Sequence, residues 1–220
     1  MISPKGLLMF DLDGTLIDSR EDLGQAVNLM RRDYGLAPLD VQTVSSYVGD
    51  GINKLVERSL QGHRTDLVKA TAVCSRYYMQ HLHDRTVLYP GVAEGLPHLH
   101  QTGYALAMIS NKPARACREV LAYFHIDVLF GCILGGGDTE HLKPHPEPLQ
   151  LAMTQLGVAP SESWMIGDHH TDIEAARRAG CSSIFLENGM GNAGNETPTL
   201  RFPGFTAMVT HFSRPQDGTI

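Results

Sequence analysis

Leu7-Leu8-Met9-Phe10-Asp11-Leu12-Asp13-Gly14-Thr15 (LLMFDLDGT, residues 7–15) decides how the rest of the chain is read. Four apolar residues in a row, without polar alternation, predict a short strand buried on both faces. The run stops at two carboxylates. On extended chain, Asp11 and Asp13 point to the same side. Close carboxylates repel unless a cation lies between them or one takes a proton. One can therefore serve as a nucleophile and the other as a proton donor. Gly14 lets the chain turn sharply past them.

Outward from this stretch, comparable runs recur at Tyr104–Ile109, Val128–Leu134, Ser163–Ile166 and Ser182–Leu186, each followed by polar or Gly-rich residues. Helix-like segments at Gly91–Gln101, Pro113–Tyr123, Pro146–Leu156 and Thr171–Ala179 separate most of them. Alternating strands and helices predict an α/β fold with a parallel sheet and helices on both faces. The stretch 19–85 breaks the rhythm. It holds helix-like segments at Glu21–Tyr34, Gly51–Leu60 and Asp66–His83 and no convincing strand. The expected division is one core, 1–18 with 86–220, and an inserted helical unit, 19–85. Its hinges are expected near Leu16–Ser19 and Asp84–Pro90. Beyond Asn188 the chain is rich in Gly, Asn, Thr and Pro. One strand is expected there, Ala207–Val209, with a loose tail over about 200–220.

Composition narrows the function. The 220 residues carry 24 acidic and 18 basic side chains, for a net charge of -6. No Lys/Arg-rich run is present, which argues against nucleic acid as a partner. Cys74, Cys117, Cys132 and Cys181 are too scattered for a metal knuckle or a redox pair. No stretch is apolar for long enough to cross a bilayer, and only four consecutive apolar residues precede the first acidic pair. The expectation is a cytoplasmic protein without a membrane partner, monomeric or homodimeric.

In open parallel sheets, ligands bind beyond the carboxyl ends of the strands. Four such ends supply candidates. Asp11 and Asp13 come first. Ser110-Asn111-Lys112 precedes a helix and offers a hydroxyl and free backbone N–H groups to an anion, or an ordinary helix cap. Lys143 lies in Lys143-Pro144-His145-Pro146, where the prolines stiffen the chain around a compact positive charge suited to a phosphoryl oxygen. Gly167-Asp168-His169-His170-Thr171-Asp172 follows a buried strand and opens a helix. Asp168 is placed to hold a hard cation through oxygen. Asp172 either stabilises the helix N-terminus or holds the lysine. His169 and His170 offer nitrogen of the kind zinc takes. The oxygen ligands around them suit magnesium better, so the histidines are expected to line the cavity or face solvent.

These elements, in this order, resemble the haloacid dehalogenase superfamily. FDLDGTLIDS (Phe10–Ser19) is similar to its first signature, MISNKP (Met108–Pro113) to the second, LKPHPEPL (Leu142–Leu149) to the third and IGDHHTDIEAARRAG (Ile166–Gly180) to the fourth. Within it the chain is most similar to phosphoglycolate phosphatases, through YVGDGINKLVERSL (Tyr47–Leu60), YPGV (Tyr89–Val92) and GGGDTEHLKPHPEPL (Gly135–Leu149). Two departures stand out. His169 occupies a position where those enzymes commonly have Ser, and Gly189–Leu200 is longer and more polar.

The resemblance implies a Rossmann-like core with a helical cap at 19–85, and a Mg2+-dependent phosphatase acting on a small phosphorylated metabolite. It implies that Asp11 is the nucleophile and Asp13 the general acid and base. Mg2+ would be held by Asp11, Asp168 and the backbone carbonyl of Asp13. Lys143, Ser110 and Asn111 would meet the phosphate, with Thr15, Gly167 and Asp172 in support. Gly49-Asp50-Gly51 would form a specificity loop, with Lys54 and Arg20 as further candidates for contacting an acidic substrate. The substrate most in keeping with the resemblance is 2-phosphoglycolate. A sugar phosphate, pyrophosphate or a phosphomutase reaction are the alternatives.

Overall fold

The computed structural model describes residues 4–213. Its elements, in chain order, are β1 (Leu7–Phe10), β2 (Ile17–Asp18), α1 (Arg20–Asp33), α2 (Val41–Ser45), α3 (Ile52–Leu60), α4 (Leu67–Gln80), β3 (Val87–Leu88), α5 (Val92–Gln101) and β4 (Ala105–Pro113). They continue with α6 (Ala114–Tyr123), β5 (Cys132–Gly136), α7 (Glu147–Leu156), β6 (Ser163–Gly167), α8 (His170–Ala179), β7 (Ser182–Leu186), β8 (Leu200–Phe202) and α9 (Phe205–Ser213). The main sheet has the order β5-β4-β1-β6-β7-β8. All its pairings are parallel. This is an α/β fold with helices on both sheet faces.

β1 is central because nothing in it tolerates water. Leu7, Leu8, Met9 and Phe10 are all fully buried. Leu8 and Phe10 join one apolar cluster, which includes Leu96 and Leu99 of α5, Val120 and Leu121 of α6 and Phe205 of α9. Leu7 and Met9 face the other, with Leu149 and Met153 of α7 and Ala175 and Ala176 of α8. Each such side chain removed from water contributes about 1.5–3 kcal/mol, so the strand's place is set by its apolar run.

Two expectations at the C-terminal end need correction. Ala207–Val209 is not a strand but lies within α9, and the strand is Leu200–Phe202. Phe205, Met208, Val209 and Phe212 recur at helical spacing. Phe205, Met208 and Phe212 are buried. Gly95 of α5 allows this packing, since a Cβ there would lie 2.7 Å from Val209 and 2.9 Å from Phe205. The expected loose tail is therefore ordered through Ser213; residues 214–220 lie outside the described part. Likewise, the strand expected at Val128–Leu134 runs from Cys132 to Gly136, after a 3-10 turn at Asp127–Leu129. Val128 is 81% exposed, which no interior strand position allows.

α1–α4 lie between β2 and β3, which pair antiparallel as a two-stranded ribbon. Buried Asp22 of α1 ties the return of the chain. Its carboxylate accepts from Arg85 N, Thr86 N and Thr86 Oγ1 at 2.6–3.1 Å. α2 lacked a sequence signal because it is only five residues long.

Candidate functional site

The four strand ends named above converge. Asp11, Asp13, Ser110, Lys112 and Asp168 line one cavity beyond the carboxyl edge of β1, β4 and β6, with Gly49 and Gly51 above them. Lys143 is buried beneath. Its Nζ donates to Asp11 Oδ1 at 3.0 Å, to Asp172 Oδ1 at 2.6 Å and to the carbonyl of Ile109 at 2.6 Å. All three ammonium donors are satisfied. Burial alone would lower the lysine's pKa, but Asp11 and Asp172 outweigh it and the net shift is upward.

Asp172 realises both alternatives left open by its position. One oxygen holds Lys143, and the other accepts from His169 N at 3.1 Å, closing a capping box at the start of α8. Gly167 makes room for this carboxylate, since a Cβ there would lie 2.1 Å from Asp172 Oδ2. Asp168 is equally constrained. Its Oδ1 accepts from Thr15 Oγ1 at 3.1 Å, and its Oδ2 accepts from Met190 N and Gly191 N, both at 2.8 Å.

The carboxylates of Asp11, Asp168 and Asp172 lie within 4.8 Å of one another. That proximity carries an electrostatic penalty. Burial, then Asp11 and Asp172, pushes the Asp168 carboxyl up to about 7. Burial likewise raises Asp11, while Lys143 and the Ser110 hydroxyl work against the rise. A divalent cation between Asp11 and Asp168 would remove the repulsion. The oxygen-only donor set fits Mg2+.

The side chain of Asn111 is engaged elsewhere, which leaves only its backbone N–H for an anion. Its Nδ2 donates to the carbonyls of Gly49 at 2.9 Å and Lys143 at 2.8 Å, and its Oδ1 accepts from Lys143 N at 2.8 Å. The amide is consumed in bracing two loops and is not free for a phosphate. β4 also runs on through Pro113, so Ser110 and Asn111 sit on irregular strand and not in a helix cap. Lys54 pairs with Glu57 at 2.7 Å and Arg20 with Asp18 at 2.5 Å; neither lines the cavity.

A family model described as haloacid dehalogenase-like hydrolase matches residues 8–186. This chain belongs to that family. A phosphoglycolate phosphatase of Colwellia psychrerythraea is 40% identical over 196 residues, covering 86% of this chain and 87% of the relative. One from Psychrobacter arcticus is 37% identical over 220 residues, covering 94% and 95%. A crystal structure from Haemophilus somnus, titled a predicted phosphoglycolate phosphatase, superposes with a TM-score of 0.88 at 30% identity, covering 94% and 97%. The protein is thus a haloacid dehalogenase-like enzyme of the phosphoric monoester hydrolase class. Among the described residues no helix is long and apolar enough to cross a membrane.

Within this hydrolase fold, three contributions escaped the sequence. Lys112 Nζ donates to both oxygens of Asp13, at 2.7 and 3.0 Å, and also to the hydroxyl of Tyr78 on α4. Ser19 Oγ donates to Asp13 Oδ1 at 2.5 Å. Met190 and Gly191 act through backbone amides. A signal existed for Lys112, which stands in the Ser-Asn-Lys run, but its partner is 99 positions away.

Gly14 offers a stability test. Its φ is +87°, and a Cβ would lie 2.1 Å from Asp168 Oδ2. Gly14→Ala is expected to destabilise the fold by more than the ~1 kcal/mol of left-handed strain alone, because Asp168 must also be displaced. Urea unfolding measures the loss. A variant as stable as the parent would show that the turn has room to relax.

Proposed function

We propose that this chain is a Mg2+-dependent phosphatase working through an aspartyl-phosphate intermediate on Asp11, with residues 19–85 as a cap over the site. The observation that carries the proposal is the buried arrangement of Asp11, Lys143 and Asp168 beyond the carboxyl end of β1. A phosphate monoester dianion and a carboxylate repel each other; Lys143, together with a cation held by Asp11 and Asp168, would supply the positive charge that lets them meet.

Asp11, Asp168 and the backbone carbonyl of Asp13 would hold Mg2+, which supplies charge neutralisation at the phosphoryl oxygens. Asp11 attacks phosphorus, an oxygen–phosphorus bond forms, and the ester bond to the leaving alcohol breaks. Asp13, protonated when the phosphate dianion is bound, delivers its proton to that alcohol. It then accepts a proton from water, whose oxygen takes the phosphoryl group and restores Asp11. Lys143 and Ser110 steady the charge as it moves. Asp172 positions Lys143 through the 2.6 Å contact. The Gly49-Asp50-Gly51 loop closes the cavity on the cap side.

For substrate, 2-phosphoglycolate is favoured by the relatives named above and by the small, mixed lining of the cavity, in which Val48, Ile52 and Leu55 stand opposite the acidic strand ends. A panel of phosphate esters assayed with and without Mg2+ tests this directly. The expected result is phosphate release from 2-phosphoglycolate at the highest kcat/KM, lost on chelation. A preference for a sugar phosphate or pyrophosphate would reassign the substrate, and no release from any ester would end the phosphatase proposal.

Mg2+ is also expected to stabilise the folded protein, because it relieves repulsion among Asp11, Asp168 and Asp172. At a hundredfold excess over the dissociation constant the gain is about 2.7 kcal/mol. Thermal unfolding with and without the ion reads it, and Asp168→Asn should abolish most of the increment. An equal increment in the variant would place the ion elsewhere.

A further inference from the structure

The sequence paired His169 with His170, and the hydrolase chemistry uses neither imidazole. The structure places Asp50 beside them, with one ligand atom from each of the three within 4.8 Å of the others. Two of these residues lie on the core, at the cap and first residue of α8, while Asp50 belongs to the loop between α2 and α3.

We propose that Asp50, His169 and His170 form a zinc site, with ligands distinct from Asp11 and Asp168 although His169 lines the same cavity, that bridges the α2–α3 loop to the start of α8. Two imidazole nitrogens and one carboxylate oxygen are a donor set for zinc and not for magnesium, which takes oxygen. Three protein ligands leave one tetrahedral position for water.

Each group is held so that one atom remains for the metal. His169 Nδ1 faces Thr171 Oγ1 at 3.0 Å, which leaves Nε2 for the ion. Asp50 Oδ2 accepts from Arg58 Nη2 at 2.6 Å, which leaves Oδ1. His170 makes no side-chain hydrogen bond among the described residues, and its ring lies 4.1 Å from that of His169 between centroids. The loop is seated on the first imidazole, because a Cβ on Gly49 would come 2.8 Å from three of its ring atoms. Gly191 approaches the same ring from the 188–192 segment. The positive end of α8 opposes a cation here, and the Asp50 carboxylate supplies the compensating charge.

Calorimetric titration of the whole protein with zinc chloride, in saturating Mg2+, tests the site. One Zn2+ per chain is expected beyond the Mg2+ already bound. Co2+ in its place should show the absorption of tetrahedral coordination. His170→Gln should retain Mg2+-dependent hydrolysis while weakening zinc binding by more than the roughly 10- to 100-fold that loss of an outer partner produces. Asp50→Asn should weaken it too, and it tests the bridge from the other element should His170→Gln fail to fold. No zinc uptake by the Mg2+-loaded protein would overturn the proposal. So would unchanged affinity in both variants, which would put zinc at Asp11 and Asp168. A loss in His170→Gln alone would leave zinc on α8 and refute the bridge.

Discussion

Asp11→Asn is expected to lower kcat by about 10^6-fold, the scale on which removal of a catalytic nucleophile acts, while leaving the fold intact or more stable. The amide has the shape of the carboxylate and cannot form the acyl phosphate. Burial raises the Asp11 carboxyl against the help of Lys143. Its charge therefore opposes the folded state, and a neutral group also eases repulsion with Asp168 and Asp172. Lys143 keeps Asp172 and the Ile109 carbonyl as partners. Activity and melting temperature should thus move in different directions, which unfolding cannot mimic. Full turnover by Asp11→Asn would refute the proposed chemistry.

Asp13→Asn should behave differently. General acid–base catalysis contributes typically 10^2–10^4-fold, so kcat for an alkyl phosphate should fall by about that factor. An aryl phosphate, whose leaving group departs without a proton, should lose much less in the first step. An equal loss for both esters in kcat/KM, which reports the first step without the shared hydrolysis of the intermediate, would deny Asp13 the role of acid. The variant also carries a stability consequence. Lys112 and Asp13 form a buried ion pair at 2.7 Å. Removing one charge strands the other, at a cost of about 3 kcal/mol. Lys112→Met in the same chain should recover much of that stability without restoring turnover. Urea unfolding and steady-state kinetics on the single and double variants measure the two effects separately.

That Asp11, Asp13 and Asp168 meet at one edge was legible in the sequence, because each follows an apolar run and strand ends in a parallel sheet face one edge. Lys143 stood out because Pro144 and Pro146 follow it closely. Gly14 and Gly167 could be suspected of close approaches, but what approaches them is a carboxylate far away in sequence. The bracing role of the Asn111 side chain was hidden for a related reason. Its residue type suits a phosphate as well as a backbone, and only the fold brings the Gly49 and Lys143 carbonyls to it. The strand expected at Ala207–Val209 failed because three residues cannot separate a period of two from one of 3.6; the spacing from Phe205 to Phe212 does.

The order of strands and helices, the burial of β1 and the gathering of acidic strand ends follow from local patterns of apolar and charged residues. Such patterns act over a few residues, so the chain determines them by itself. The Lys112–Asp13 pair, the amides of Met190 and Gly191 on Asp168, the two bonds of Asp172 and the meeting of Asp50 with two histidines were decided by tertiary structure alone. Each joins a group to a partner whose identity has no local signature, often a backbone amide that every residue carries. Only the closing of the chain in space brings such groups within hydrogen-bonding distance.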